Sequence, residues 1–136
     1  MPTIAELYLG DLRVECVHLQ SGTKIVTDAP TDNQGRGESF SPTDLCAASL
    51  GACAMTIMGI YAKSHGLDVA GTRVEVTKHM AADPRRIGRV EVAFHFPARD
   101  FSDKDKTALE RAARACPVSL SLGENVIQEF SFNWQN

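Results

Sequence analysis

A run of eighteen residues without a charge, 45–62, constrains this chain more than any other feature. It reads LCAASLGACAMTIMGIYA, long enough for a membrane span or for a helix buried inside a fold. Its content favours the buried helix. Only Leu45, Leu50, Ile57 and Ile60 are strong aliphatics, and most of the rest is Ala, Gly, Ser, Thr and Cys. A helix apolar on all sides and rich in small residues suits a core element closely approached by its neighbours. Its start is well marked. Ser41 is a good N-cap, Pro42 suits the first helical position, and Asp44 completes a capping-box pattern. The helix is expected to reach Ser64 or His65 and to stop at Gly66, a span of about 35 Å at 1.5 Å per residue.

Strand patterns surround this helix. Residues 4–9 and 13–19 flank Gly10-Asp11, which suits a hairpin, and residues 23–27 form a third short strand. Residues 29–40 carry Pro, Asp, Asn and two glycines and read as a flexible connection; their Gly-Arg-Gly lacks the context of a phosphate loop. After the helix, Val74 and Val76 alternate with Arg73, Glu75, Thr77 and His79, and Val90, Val92, Phe94 and Phe96 alternate with Arg89, Glu91 and His95. Ser102 caps a second helix that ends near Cys116, because Pro117 follows. Residues 118–123 read as a turn and 126–134 as a last strand. These elements predict one α+β domain over residues 1–136, with a mostly antiparallel sheet, a long central buried helix and a second helix. One sheet shields one side of the long helix, so a second copy of the chain is expected over the other side, in a homodimer.

Composition narrows the function. Apolar residues make up 43% and charged residues 23%, with a net charge of −3, which fits a globular domain and disfavours nucleic-acid or anionic-membrane partners. The N-terminal MPTIAELYLG has no basic region followed by an apolar core, so a cytoplasmic location is expected. Cys16, Cys46, Cys53 and Cys116 form no CxxC pair, and His18, His65, His79 and His95 show no ligand-like spacing with them; neither a metal nor a cofactor is expected. Cys16 sits in an alternating strand and is expected to pack as a small hydrophobe. Cys46 and Cys53 share a helical face but stand about 10.5 Å apart along the axis, too far for a disulfide. A Cys53–Cys116 bond is geometrically open if the second helix docks near the middle of the first.

Three segments carry a family resemblance. Residues 41–53, SPTDLCAASLGAC, look like the helix motif of the OsmC/Ohr family; residues 115–119, ACPVS, resemble its second cysteine motif. Residues 83–89, DPRRIGR, are similar to a hairpin of its OsmC-like members, and the order and spacing of all three agree. The resemblance implies an intertwined homodimer and a thiol-dependent, peroxiredoxin-like reduction of organic hydroperoxides in antioxidant and stress defence. Cys53 would be the peroxidatic thiol and Cys116 the resolving one, with a dithiol, lipoyl-type reductant restoring the pair.

The family also implies an Arg that stabilises the thiolate and a Glu that orients the Arg. Arg13 is the best match for the Arg, with Arg36 second. The family's Glu falls on Thr43, which cannot form an ion pair. Asp44 lies nine residues before Cys53, on the opposite helical face, and is left to the cap. Glu38 is the remaining candidate to hold the Arg. The Thr at 43 motivates an alternative reading, a non-catalytic redox sensor or a binder of small apolar ligands on the same fold.

Overall fold

Three short strands open the chain in the computed structural model, which describes residues 1–135. They are β1 (Ile4–Gly10), β2 (Arg13–His18) and β3 (Lys24–Asp28), paired antiparallel in the order β1-β2-β3. The β1–β2 reversal is tight because Gly10, Asp11 and Leu12 all take positive φ, at 87°, 53° and 64°. The left-handed region favours glycine, and Asp tolerates it, while a leucine there is strained. This turn places Arg13 at the head of β2, directly across from Asp28 of β3.

The connection after β3 is pinned, contrary to the flexible segment expected. The Asp28 N–H donates to Phe40 O at 3.1 Å, Ser39 Oγ to Val26 O at 2.7 Å, and Gly37 N–H to Ala29 O at 3.3 Å. Gly35 is packed so tightly that a Cβ would fall 1.6 Å from Ala29 O, so no other residue fits there. Residues Thr31–Asn33 form a single 3₁₀ turn within it.

The long helix, α1 (Pro42–Ser64), begins as its sequence requires. The Asp44 N–H donates to Ser41 Oγ at 3.1 Å and the Ser41 N–H returns a bond to Asp44 Oδ2 at 3.0 Å, a reciprocal capping box. It ends at Gly66, whose φ of 66° lets the Leu67 N–H reach Ala62 O at 2.8 Å. The residues Met1–Cys46 form one compact unit and Ala47–Asn136 another.

The second unit holds β4 (Arg73–Ala81), β5 (Arg86–His95), α2 (Asp103–Arg114), α3 (Pro117–Ser121) and β6 (Ile127–Asn133). The sheet order is β4-β5-β6, with β4 and β5 antiparallel and β5 and β6 parallel. A parallel pair needs a crossover, and the two helices between β5 and β6 supply it. Two differences from the sequence reading follow. The chain forms two three-stranded sheets, one with a parallel pair, and residues 117–121 are a short helix because Pro117 suits the first helical position after its Cys116 cap.

The core of this unit lies between α1, the sheet and α2. Ala47, Leu50, Gly51, Ala54, Met58 and Ala62 make one buried stripe on α1. Val90, Val92 and Phe94 of β5 and Phe96 just beyond it join this core, with Leu109 and Ala113 from α2. Gly51 allows the closest approach: a Cβ there would stand 2.7 Å from Val76 Cγ2 and 3.3 Å from Val74 Cγ1. The helix has the length and hydropathy to cross a membrane, at a mean of 1.7 over its most apolar window. Its buried stripe instead packs it as a core helix of the domain, while Ala52, Thr56 and Ile60 remain exposed on the other side.

Candidate active site

Two groups of chemically capable side chains stand out, one in each unit. In the second unit, Cys53 sits beside the buried stripe of α1, half-buried and packed against the core. Cys116 is fully buried at the α2–α3 junction, where α2 has ended and Pro117 starts the next helix. Cys53 and Cys116 are electrostatic neighbours, and both are free thiols. Burial pushes the Cys116 thiol up; the Ser119 N–H, which donates to its sulfur at 3.4 Å, opposes that, and neighbouring Cys53 adds to the rise.

The local fold explains why they meet. Alternation on β5 turns Val90, Val92 and Phe94 inward, α1 lays its small-residue stripe over them, and α2 buries Leu109 and Ala113 in the same core. The chain leaving α2 therefore turns at Cys116 against the middle of α1, where Cys53 lies.

In the first unit, Arg13 reaches two carboxylates. Its Nη1 donates to Glu38 Oε2 at 3.1 Å and stands 3.8 Å from Asp28 Oδ2. Glu38 is the more exposed partner and Asp28 is buried, its side chain 1% accessible. Asp28 Oδ2 also accepts the Glu38 N–H at 3.1 Å, which fixes the loop that carries Glu38. Asp28 Oδ1 has no hydrogen-bond partner among the described residues. Arg13 is thus held by one exposed and one buried carboxylate, the second close enough for Coulomb attraction rather than a short hydrogen bond.

Of the residues singled out from sequence, Cys53 is brought to Cys116 and Arg13 to Glu38. Thr43 hydrogen-bonds to the Ser41 hydroxyl at 3.2 Å, and Asp44 is in the capping box, as expected. Arg36 lines a shallow hollow with Asp11, Leu12, Gln34 and Gly35. Cys16 differs from the expectation of an apolar filler. Its thiol donates to Glu6 Oε2 at 3.0 Å, because Glu6 is its direct partner across the β1–β2 pair. That hydrogen bond is the main reason the Cys16 thiol is pushed up.

Asp28 was missed by reading the strand one residue short. The available signal was register: an Asp opposite the Arg at the head of the neighbouring strand. Among the described residues no group of three or more His, Cys, Asp or Glu is placed to hold a metal ion. Chemically, adjacent free thiols permit reversible oxidation and thiol–disulfide exchange. An Arg anchored by carboxylates is a fixed cation that an anionic sulfur or oxygen can use.

Comparison with known proteins bears on these groups. The family model described as OsmC-like protein matches residues 35–130. A Psychrobacter arcticus protein named for osmotic stress induction and detoxification response is 47% identical, over 98% of this chain and 96% of its own, with a TM-score of 0.93. An OsmC-like protein of Mycoplasma pneumoniae has a TM-score of 0.80 at 14% identity, over 98% of this chain and 96% of its own. An organic hydroperoxide resistance protein OsmC of Legionella pneumophila has a TM-score of 0.75 at 19% identity, covering 98% of each chain. The last two share the fold. No curated protein matches the sequence.

Proposed function

This chain belongs to the OsmC-like protein family, and from that premise we propose that it reduces organic hydroperoxides through Cys53 and Cys116, using a dithiol as reductant. The observation that carries the reading is a half-buried free thiol, Cys53, neighbouring a fully buried one, Cys116, whose titration it raises. The accessible sulfur suits the attacking role and the buried one the resolving role.

The Cys53 thiolate attacks the terminal oxygen of ROOH; the O–O bond breaks, RO⁻ leaves and takes a proton to become ROH, and Cys53 becomes a sulfenic acid. Cys116 sulfur then attacks Cys53 sulfur, expelling water and forming a disulfide. A dithiol returns both cysteines to thiols and leaves as its own disulfide. The nearby second thiol intercepts the sulfenic acid before further, irreversible oxidation. The apolar side chains around Cys53, among them Met55 and Ile57 in the core cluster, favour an organic peroxide over hydrogen peroxide.

Arg13 is assigned the cation that stabilises the thiolate, with Glu38 holding it in place of the family's Glu at Thr43. The support is the Arg13–Glu38 ion pair and the buried Asp28 beside it. The protein is proposed to act in the cytoplasm as a homodimer, the exposed apolar residues Ile4, Leu7, Leu9 and Ile60 being the motive for a second copy.

The test is consumption of cumene hydroperoxide with dihydrolipoamide as donor. Wild-type protein should turn over, Cys53→Ser should fall to the uncatalysed background, and Cys116→Ser should accumulate a sulfenic acid that dimedone traps. Disulfide formation without any peroxide consumption would replace this reading with a redox sensor.

A further inference from the structure

The inner face of β6 carries one polar residue. Phe130 and Phe132 pack against the core from that face, and Gln128 precedes them at the same alternation, half-buried, beside Val90 of β5. A carboxamide among phenylalanines must satisfy both its ends or lose stability. Gln128 spends both on a single residue. Its Oε1 accepts the Ser119 hydroxyl at 2.5 Å and its Nε2 donates to the Ser119 carbonyl at 3.0 Å.

Ser119 also holds Cys116. Cys116 is the N-cap of α3, and its sulfur takes the place usually filled by a Ser or Asp oxygen, accepting the Ser119 N–H at 3.4 Å. The neighbouring Val118 N–H also favours the thiolate form of Cys116. A neutral thiol is a weak acceptor and a thiolate a strong one. The Ser119 N–H therefore acts chiefly when negative charge gathers on Cys116, in a place where burial otherwise opposes it.

We propose that Gln128 and Ser119 form a clamp that fixes the Ser119 N–H on Cys116 and so makes Cys116 the leaving group when a dithiol reopens the Cys53–Cys116 disulfide. This rests on the thiol-pair reading above. A reductant thiolate attacks Cys53 sulfur; the new S–S bond forms there, the Cys53–Cys116 bond breaks, and its electron pair goes to Cys116 sulfur. The Ser119 N–H stabilises that thiolate until it takes up the proton that the reductant gave up on forming its thiolate. The second thiol of the reductant then attacks the mixed disulfide, releasing Cys53 as a thiolate and the reductant as a cyclic disulfide. Burial decides which sulfur is attacked, since Cys116 is inaccessible; the clamp sets how fast. Gln128 is thus a positioning residue, acting through Ser119.

The experiment starts from protein oxidised with one equivalent of diamide, which forms a disulfide whether or not peroxide is a substrate, and confirms the Cys53–Cys116 link by peptide mapping. Reduction by dithiothreitol is then timed at pH 7 for wild type, Gln128→Met and Ser119→Ala. Gln128→Met should react about tenfold more slowly, because the leaving thiolate becomes more basic when its donor loosens. Ser119→Ala, which keeps its N–H but loses the hydroxyl contact, should be slowed less. In a Cys53→Ser background, the Cys116 titration, read as the difference in ultraviolet thiolate absorbance from Cys53→Ser/Cys116→Ser, should move upward in pH with Gln128→Met, a change that a purely structural role for Gln128 does not produce. If Gln128→Met does not fold, Ser119→Ala carries the same two measurements. Wild-type rates and an unmoved pH profile in the variants overturn the clamp. Failure of diamide to link Cys53 with Cys116 overturns both the clamp and the thiol-pair reading, whereas a clamp-dependent rate without peroxide turnover leaves the clamp standing and removes only the hydroperoxide.

Discussion

Replacing Gly51 by Ala sets two effects of known size against each other. Alanine in a helix interior is favoured over glycine by about 1 kcal/mol, through reduced backbone entropy loss. Against this, the new Cβ would stand 2.7 Å from Val76 Cγ2 and 3.3 Å from Val74 Cγ1. Both neighbours are β-branched, stiff at χ1 and part of the sheet packed on α1, so they cannot swing aside as a lysine end would. Overpacking of this kind costs about 1–3 kcal/mol, and the net effect is a loss of up to about 2 kcal/mol. Gly59, on the same helix, is the internal control, because a Cβ there meets nothing within 4 Å. Gly59→Ala should gain about 1 kcal/mol from helix propensity alone. Thermal unfolding followed by circular dichroism should therefore separate the two variants by about 4–12 °C for a domain of this size. Gly51→Ala melting at or above Gly59→Ala would refute the close-approach account. A concentration-dependent loss of stability in Gly59→Ala would instead mark the helix face that a second copy covers. Because Gly51 lies two residues before Cys53, Gly51→Ala should also slow diamide-driven Cys53–Cys116 disulfide formation.

Two further outcomes follow from charge and burial. Folding raises the Cys116 thiol, so the native state favours its protonated form: the associated stability is present below the unfolded thiol's pH range, near ~8.5, and is lost as pH rises toward the folded value. Reduced protein should lose stability above about pH 8.5, by no more than ~1.4 kcal/mol per pH unit, and urea unfolding of Cys116→Ala should lack that part of the slope. In the first unit, Arg13→Met leaves the buried Asp28 carboxylate without its cation and should cost about 2–4 kcal/mol, whereas Glu38→Gln, at the exposed end of the pair, should stay within about 1 kcal/mol. The reverse order in urea unfolding would show that Asp28 is not the anchor.

The sequence by itself determined the elements and the thiols on them. The Ser41–Asp44 box, Gly66, Ser102 and Pro117 are local signals, acting within a few residues, and local chemistry is what a single chain displays openly. Alternation of Val74 and Val76, and of Val90 to Phe96, set the inner faces of β4 and β5 for the same reason. Cys53 and Cys116 could be named in advance from the family motifs they stand in, Arg13 as the best match for that family's Arg, and Glu38 as the remaining carboxylate able to hold it.

Register and crossover were decided only by tertiary structure. The parallel pairing of β6 with β5 and the hydrogen-bonded closure of residues 29–40 against β3 depend on contacts that no pattern within a few residues encodes. Asp28 gained its place by standing across from Arg13, and Gln128 by reaching Ser119 nine residues away in sequence. The thiols themselves were legible early. That Cys116 is buried and next to Cys53 required the packing of α1, β5 and α2 on one core, because the distance between two side chains on different elements is set by all the residues that hold those elements together.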